Sequence, residues 1–224
     1  MTVWTEFMAA MAVFFLSHAV PVRPKVKPWL VRHLGARGFS LIYSILSLMI
    51  LIWLIVAAGR APFVPLWEFG AAGRHTALTL MLIACLVLAL GIARPNPFSF
   101  GGAWNDRFDP AHPGIVRLTR HPLLLALALW GGAHVLANGD LAHVVLFAPL
   151  AGFALFGGTM ITRRKRREMG AEYDRLWAET RALPKSRLLW PPSGTVVLRL
   201  LAGFLLYGGL ILARGPVIGV NPLF

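Results

Sequence analysis

Apolar residues occur along the chain in six long runs, which polar, basic or proline-rich segments separate. A helix of roughly 17–25 residues crosses a hydrocarbon core of about 30 Å. Only helices are expected, because each backbone polar group of an open chain in lipid must be paired within its own segment. The pattern predicts an all-α polytopic integral membrane helical bundle, a single domain over residues 1–224. Its six transmembrane helices are expected near residues 3–20, 39–58, 75–93, 122–137, 141–161 and 196–213.

The composition favours a membrane protein over other classes. The 224 residues are 57% hydrophobic and 14% charged, whereas soluble domains are about 45–50% apolar and about 25% charged. A net charge of +13 could suit a nucleic-acid-binding protein, but a chain this apolar with 9 acidic residues is not expected to bind nucleic acid. The expected partners are the lipid bilayer and a small-molecule or lipophilic substrate. The single cysteine, Cys85, excludes an intrachain disulfide.

Basic residues lie mainly on one side of the predicted spans. The first, third and fifth connecting loops hold five, four and nine of the 22 lysines and arginines; the opposite side holds three, and Arg199 lies within the last span. The positive-inside rule predicts that these basic loops are cytoplasmic and both termini periplasmic, in a multi-pass protein of the cell inner membrane. A helix is predicted over 163–183. Its apolar face and basic opposite face are typical of a helix lying on an anionic leaflet.

Three further segments carry structural signals. Asn138-Gly139-Asp140 predicts a tight turn between two helices, in which Asp140 caps the second helix. Gly131-Gly132 could bend the fourth helix or let a neighbour approach closely. The segment 94–120, rich in proline and glycine, has no obvious helix and is long enough to indicate a functional or disordered loop.

Histidines within or beside apolar spans are the main candidates for chemistry. His18 and His121 are predicted at the inner boundary, and His75, His134 and His143 toward the outer boundary. Histidines from different helices at one depth could ligate a haem or a metal ion, and hydrogen bonding between helices is the structural alternative. Arg120 beside His121 could bind a phosphate, a carboxylate or a haem propionate. Alternatively, Arg120 could only add to the excess of basic residues on the cytoplasmic side.

The stretch from Arg120 to Leu141 resembles the NnrU family. It contains Arg120-His121-Pro122, Trp130, Ala133-His134 and Asn138-Gly139-Asp140-Leu141, and the elements Phe15-Leu16-Ser17-His18 and Arg74-His75 also fit. NnrU proteins are associated with nitrite and nitric oxide reduction in denitrification. A plant relative, 15-cis-zeta-carotene isomerase, is a haem b enzyme that isomerises a polyene. The resemblance implies that haem b is bound, with His18 and His134 as axial ligands, and that His121 matches the isomerase's Arg-His-Pro histidine.

Two positions qualify what the resemblance implies. The isomerase has a cysteine three residues before its second axial histidine, where this chain has Gly131, so a cysteine-linked ligand change is not expected. The predicted spans place His18 roughly 15 Å deeper than His134 at 1.5 Å per residue, whereas His75 and His134 match in depth. Both pairs are therefore kept as candidate haem ligands, within a cofactor-binding set of His18, His75, Arg120, His121 and His134.

A second resemblance leads to another class of function. Arg120-His121-Pro122, followed after one span by Gly170-x-x-Tyr173 and Pro184, is similar to membrane methyltransferases of the isoprenylcysteine and phospholipid type, in which these motifs bind S-adenosylmethionine. The second tyrosine of that pattern is Leu176 here, and its paired glutamates are replaced by a region that runs into Arg163-Arg164. A third reading is a non-enzymatic assembly factor, whose histidines pack or hold a cofactor transiently.

Overall fold

A computed structural model describes residues 2–182, Pro184 and residues 194–218, with the backbone alone at 214–218. Over these ranges the chain is helical and contains no β-strand, which confirms the predicted all-α class. The helices are α1 (Val3–Ala19), α2 (Lys27–Gly59), α3 (Gly70–Gly91), α4 (Pro122–Asn138), α5 (Leu141–Met169), α6 (Ala171–Ala182) and α7 (Gly194–Ile218).

Four of the described helices, α2, α3, α5 and α7, are long and apolar enough to cross a membrane. Apolar side chains on α7 face outward, as Leu205 (76% exposed) and Leu212 (79% exposed) illustrate. The other two predicted spans form the shorter apolar helices α1 and α4, each of 17 residues. At 1.5 Å per residue these two helices are about 25 Å long, somewhat less than the hydrocarbon thickness of about 30 Å.

The chain divides into two compact units. The first comprises Met1–Trp67 and Gly139–Leu146, and the second comprises Glu68–Asn138 and Phe147–Phe224. In the first unit α1 packs along α2, and the Glu6 carboxylate of α1 accepts hydrogen bonds from Trp53 (3.3 Å) and Arg60 (3.4 Å) of α2. The second helix begins at Lys27, well before the predicted residue 39, and its path is broken at Gly35, where φ is +71°.

A short turn in the first unit confirms the predicted cap of α5. The backbone N–H groups of Leu66 and Trp67 donate to the Gly139 carbonyl at 2.8 and 3.0 Å. Gly139 has φ +63°, and a Cβ there would lie 2.1 Å from the Trp67 carbonyl oxygen, so no other residue fits. Asp140 follows and accepts from the His143 backbone N–H, as an N-cap residue does.

The second unit is built on α3, which packs against both α4 and α7. The end of α3 lies close to the start of α4. A Cβ added at Gly91 would lie only 2.5 Å from the Cβ of Pro122, so the contact requires glycine. The Arg199 guanidinium of α7 donates to carbonyls at and just beyond the end of α3, at Ala89 (2.8 Å), Ile92 (2.6 Å) and Ala93 (3.3 Å). These bonds satisfy helix-end acceptors that have no partner within α3.

Gly131 confirms the close approach predicted for the fourth helix. A Cβ at this position would lie 3.0 Å from the Ala151 Cβ and 3.1 Å from the Phe147 carbonyl oxygen, both on α5. Gly132 has open space beside it. The glycine that stands in place of the isomerase's cysteine therefore serves helix packing, and a thiol side chain would need α5 to shift.

The helix predicted over 163–183 differs from the observed one. Residues 163–167 are the last turns of α5, which continues without interruption to Met169, because arginine, lysine and glutamate favour helix. The break comes at Gly170, with φ +61°, and α6 follows. The end of the predicted helix at Leu183, and the basic residues Lys185 and Arg187, lie outside the described residues.

The apolar face of α6 packs against protein. Tyr173 forms a buried cluster with Phe98 and Val116 of the segment 94–120, and Phe108, Met169, Leu176 and Trp177 pack against it. This face is therefore covered by protein, and the position of the helix on an anionic leaflet stays a prediction. The segment 94–120 itself contains two short 3₁₀ helices, Asn105–Arg107 and Gly114–Arg117.

Candidate functional site

The second unit contains a half-buried polar cluster, where the segment 94–120 meets the start of α4, the end of α5 and α6. We call it the Arg120–His121 cluster. Its members are polar side chains joined by hydrogen bonds: Asn96, Ser99, Arg120, His121, Thr162 and Tyr173. The structure thus brings together two of the predicted cofactor-binding residues and the tyrosine of the methyltransferase-like motif.

Both ring nitrogens of His121 are hydrogen-bonded to hydroxyl groups. Nδ1 lies 2.9 Å from Ser99 Oγ, and Nε2 lies 2.8 Å from Thr162 Oγ1 of α5. Burial, with a smaller effect from the charge of adjacent Arg120, lowers the pKa of His121 to about 4. The ring is therefore neutral at pH 7, and it donates one hydrogen bond and accepts the other. In this arrangement His121 connects three segments of the chain and has no nitrogen left for a metal ion.

Arg120 links the Arg-His-Pro motif to α6. Its Nη1 donates to the Tyr173 hydroxyl at 3.1 Å, and its guanidinium lies 4.7 Å from the centre of the Trp177 ring, a cation–π contact. Tyr173 is only 1% exposed, and its hydroxyl would be costly to bury without a partner. The contact joins α6 to the end of the segment 94–120, against which α6 packs.

Asn96 is a member of this cluster that sequence reasoning missed. It is 1% exposed, its Nδ2 donates to the Arg120 carbonyl (3.0 Å), and its Oδ1 accepts from the Phe98 N–H (3.1 Å). Its position between Pro95 and Pro97 was the available signal, because flanking prolines restrict the backbone to a defined turn. Ser99 and Thr162 gave no sequence signal, since single hydroxyl residues are common.

His134 lies far from this cluster, near the other end of α4. Thirteen residues separate it from His121, which corresponds to about 20 Å along the helix. Its Nδ1 donates to the Trp130 carbonyl at 2.9 Å, and its ring lies 4.6 Å from the ring of Phe147 and 5.2 Å from that of Trp130. His134 and His121 therefore cannot ligate the same metal ion.

His75 on α3 lies at a level similar to that of His134 on α4. Because Gly91 of α3 contacts Pro122 of α4, the two packed helices run in opposite directions. His75 is 16 residues before Gly91, or about 24 Å, and His134 is 12 residues after Pro122, or about 18 Å. The His75 side chain is exposed.

His18 belongs to the first unit and has the same local geometry as His134. Its Nδ1 lies 2.8 Å from the Phe14 carbonyl oxygen, and its ring stacks on that of Phe14 with centroids 4.1 Å apart. The Tyr43 ring meets it edge-on at 5.9 Å. His33 makes the same bond to the Trp29 carbonyl (2.8 Å), but on an exposed part of α2. The bond by itself therefore does not distinguish a candidate ligand from an exposed histidine.

Two other sets of ionisable residues have structural roles. Asp140 is 3% exposed, and its carboxylate accepts from both the backbone N–H and the ring Nδ1 of His143. Asp109 accepts from the Ala111 N–H and pairs with His112 at 2.7 Å, as a turn residue does. Over the described part of the chain no three histidine, cysteine or acidic side chains are grouped closely enough to share a metal ion.

The low pKa of His121 predicts a pH-dependent loss of stability. In the unfolded chain His121 binds a proton near pH 6.5, whereas in the folded chain it does so only near pH 4. The free energy of unfolding that the neutral ring contributes is therefore fully present above pH 6.5 and is lost as the pH falls toward 4. His121→Gln keeps one donor and one acceptor but does not titrate. Its thermal midpoint, followed by circular dichroism in detergent, is expected to fall less between about pH 7 and about pH 5 than that of the unsubstituted protein.

His33→Gln is the matched control for this experiment, because the His33 side chain is exposed. It is expected to keep the pH dependence of the unsubstituted protein. Equal pH dependence in the unsubstituted protein and in His121→Gln would contradict the assignment of this effect to His121.

Comparison with known proteins assigns the chain to a family. No curated protein and no solved structure matches the chain. The family described as NnrU protein matches residues 6–222, which is nearly the whole length and includes α1 from Glu6 onward, the Arg120–His121 cluster and His134. Since the match covers far more than half of the sequence, the chain belongs to the NnrU family.

Proposed function

We propose that this chain is an integral protein of the cell inner membrane that binds haem b and takes part in a redox-linked step. The step is nitrite or nitric oxide reduction, or the isomerisation of a cis-polyene of the zeta-carotene type. The observation that carries the haem proposal is the geometry of two histidines. His18 and His134 are half-buried and packed against aromatic rings, and each donates Nδ1–H to the carbonyl four residues earlier.

This bond determines which nitrogen bears the lone pair. A carbonyl oxygen can only accept, so the proton lies on Nδ1, and Nε2 has the lone pair that iron requires. Histidines that ligate metals almost always donate their other ring N–H to a carbonyl, a carboxylate or water. Aromatic rings also pack against both imidazoles and restrict their orientation. These features support His18 and His134 as residues that would hold haem iron through Nε2.

We propose that His134, together with His18 or His75, would hold the iron of a bound haem. His18 shares the tautomer of His134, and His75 lies within about 6 Å of the level of His134 along the packed pair α3 and α4. Haem b, when bound, supplies one-electron chemistry at iron. At His18 and His134 the chain orients the imidazole by a backbone hydrogen bond and packs aromatic rings against it. The Arg120–His121 cluster is assigned to the second candidate function below.

An absorption spectrum tests this proposal. The full chain, expressed with a haem supply and purified in detergent, is expected to show a Soret band that shifts on reduction. His134→Ala is expected to lose the band, because a neutral imidazole is the usual iron ligand in a helical bundle. His18→Ala and His75→Ala then identify the second ligand, and added imidazole is expected to restore the band in His134→Gly.

The matched control is His33→Ala, which removes an imidazole with the same bond to the carbonyl four residues earlier. It is expected to leave the spectrum unchanged. Circular dichroism verifies that each variant keeps its helix content. A folded chain that acquires no haem even after supplementation would overturn the proposal.

We further propose that all six apolar helices cross the membrane, with both termini periplasmic and the basic loops cytoplasmic. The charge asymmetry of the loops supports this orientation. A Cys85→Ser background allows single cysteines to report sidedness, since Cys85 is the one cysteine of the chain. Glu68→Cys is expected to react with a membrane-impermeant maleimide in intact cells, and Ala178→Cys only after lysis. The reverse pattern would overturn the orientation.

A second candidate function is S-adenosylmethionine-dependent methyl transfer to a small or lipophilic substrate. The observation that favours it is the Arg120–Tyr173 hydrogen bond, which joins the two motif segments of the methyltransferase-like pattern. Equilibrium dialysis with labelled S-adenosylmethionine tests it. Tyr173→Phe, which removes a hydrogen bond to a charged group, is expected to weaken binding about tenfold. Tyr207→Phe on α7 is the control and should bind normally.

The haem spectrum and the S-adenosylmethionine dialysis also test the hypothesis that the chain is a non-enzymatic assembly factor. Binding of neither haem nor S-adenosylmethionine by a folded chain would overturn both enzyme proposals. Recovery of a reductase subunit with the chain from mild detergent would then support an assembly role.

A further inference from the structure

The basic run Arg163–Arg167 at the end of α5 is divided by its ion pairs. Arg164 and Lys165 both pair with Glu168, at 3.7 and 3.2 Å, and Arg166 binds Asp174 of α6 through two nitrogens. Arg163 and Arg167 are exposed, and no carboxylate lies within ion-pair distance of them over the described residues. Two of the five cations therefore have no anion supplied by the described chain.

These two arginines share one face of α5 with exposed apolar residues. Phe156 is 65% exposed and Met160 is 52% exposed. Phe156, Met160, Arg163 and Arg167 are spaced by four, three and four residues, so they form one stripe along the helix. Along this stripe two apolar side chains are followed by two positive charges.

The stripe changes from apolar to basic where several helices of the second unit have their polar ends. His121 at the start of α4 bonds Thr162, the residue immediately before Arg163. Pro122 contacts Gly91 at the end of α3, and Arg199 of α7 caps the same end. Four helices therefore reach a common level there, and Arg163 and Arg167 lie just beyond it.

The distance along α5 from its start to Arg163 and Arg167 can be compared with the thickness of a bilayer. Arg163 is 22 residues and Arg167 is 26 residues from the start of the helix at Leu141, or about 33 and 39 Å. A hydrocarbon core is about 30 Å thick, and the lipid headgroups extend beyond it to about 40–45 Å in total. That total includes the headgroups of both leaflets, so with Leu141 at one edge of the core the far headgroup layer extends from about 30 to about 35–38 Å. Arg163 then lies within this layer, and Arg167 lies at its aqueous edge, from which its long side chain can reach a lipid phosphate.

We infer that Arg163 and Arg167 bind the phosphate of an anionic phospholipid, whose acyl chain lies along Met160 and Phe156. The inference rests on the proposed membrane insertion, and it is independent of haem and of S-adenosylmethionine. Two arginines at i and i+4 repel each other, and a phosphate between them removes that repulsion through charge-assisted hydrogen bonds. The apolar part of the stripe favours a lipid over free phosphate. The helix α6 is a poorer candidate, because it has three carboxylates, Glu172, Asp174 and Glu179, against two arginines.

The test uses the full chain in a non-ionic detergent, with lipid binding measured by native mass spectrometry. Dioleoyl phosphatidylglycerol is compared with dioleoyl phosphatidylcholine, which has the same acyl chains and no net charge. The unsubstituted protein is expected to prefer phosphatidylglycerol. Each basic residue near an anionic lipid contributes about fivefold to binding, so Arg163→Gln combined with Arg167→Gln is expected to lower that affinity about 25-fold.

The chain offers a charge-matched control in the same turns of α5. Arg164→Gln combined with Arg166→Gln removes the same two charges from residues that already have carboxylate partners. It is expected to retain the preference for phosphatidylglycerol. An equal loss in this control would attribute the preference to net charge and overturn the site.

Two further outcomes are decisive. Competition by inorganic phosphate at the affinity of phosphatidylglycerol would show a site for the free anion and overturn the lipid assignment. Recovery of the chain from cells without detergent would refute membrane insertion itself. A failure of the lipid site alone leaves the protein in the membrane fraction without lipid preference, so the two failures are distinguishable.

Discussion

The pair of hydrogen bonds made by the His121 imidazole determines how the polar end of the second unit is assembled. A buried ring nitrogen needs a partner, and here Ser99 of the segment 94–120 and Thr162 of α5 supply one each. A Cβ at Gly158, one turn before Thr162, would lie 3.1 Å from the His121 ring, so the small residue lets α5 approach. The start of α4 is thereby held against two other segments.

Other contacts of the cluster depend on that anchor. With His121 held, Arg120 extends toward α6, where it meets Tyr173 and Trp177. Asn96 binds the Arg120 carbonyl, and thereby attaches the proline-rich segment to the same point. Since Tyr173 also belongs to the buried cluster with Phe98 and Val116, polar and apolar packing stabilise the same position of α6.

The histidines of this chain differ in role because their surroundings differ. His121 has both nitrogens engaged by hydroxyl groups, and His143 donates to a buried carboxylate. His18 and His134 donate Nδ1–H to a backbone carbonyl and are packed against aromatic rings. Residue type alone therefore does not separate a structural histidine from a candidate ligand, whereas its hydrogen-bond partners, burial and aromatic contacts taken together do. The same reasoning applies to the arginines, because the carboxylates near Arg164 and Arg166 set them apart from Arg163 and Arg167.

Hydropathy, capping and side-chain size act locally, so the residues alone were enough to predict the helical class, the approximate helix positions and the cap at Asp140, and to offer a close approach as one of two roles for Gly131. The motif of residues 120–141 was also sufficient to indicate the family. Three features became visible only in the folded chain: α5 continues through the basic run, α6 packs on the segment 94–120, and Asn96, Ser99 and Thr162 surround Arg120 and His121. Those outcomes depend on contacts between residues distant in sequence, and a buried hydrogen bond between two such residues leaves no periodic signal in either segment.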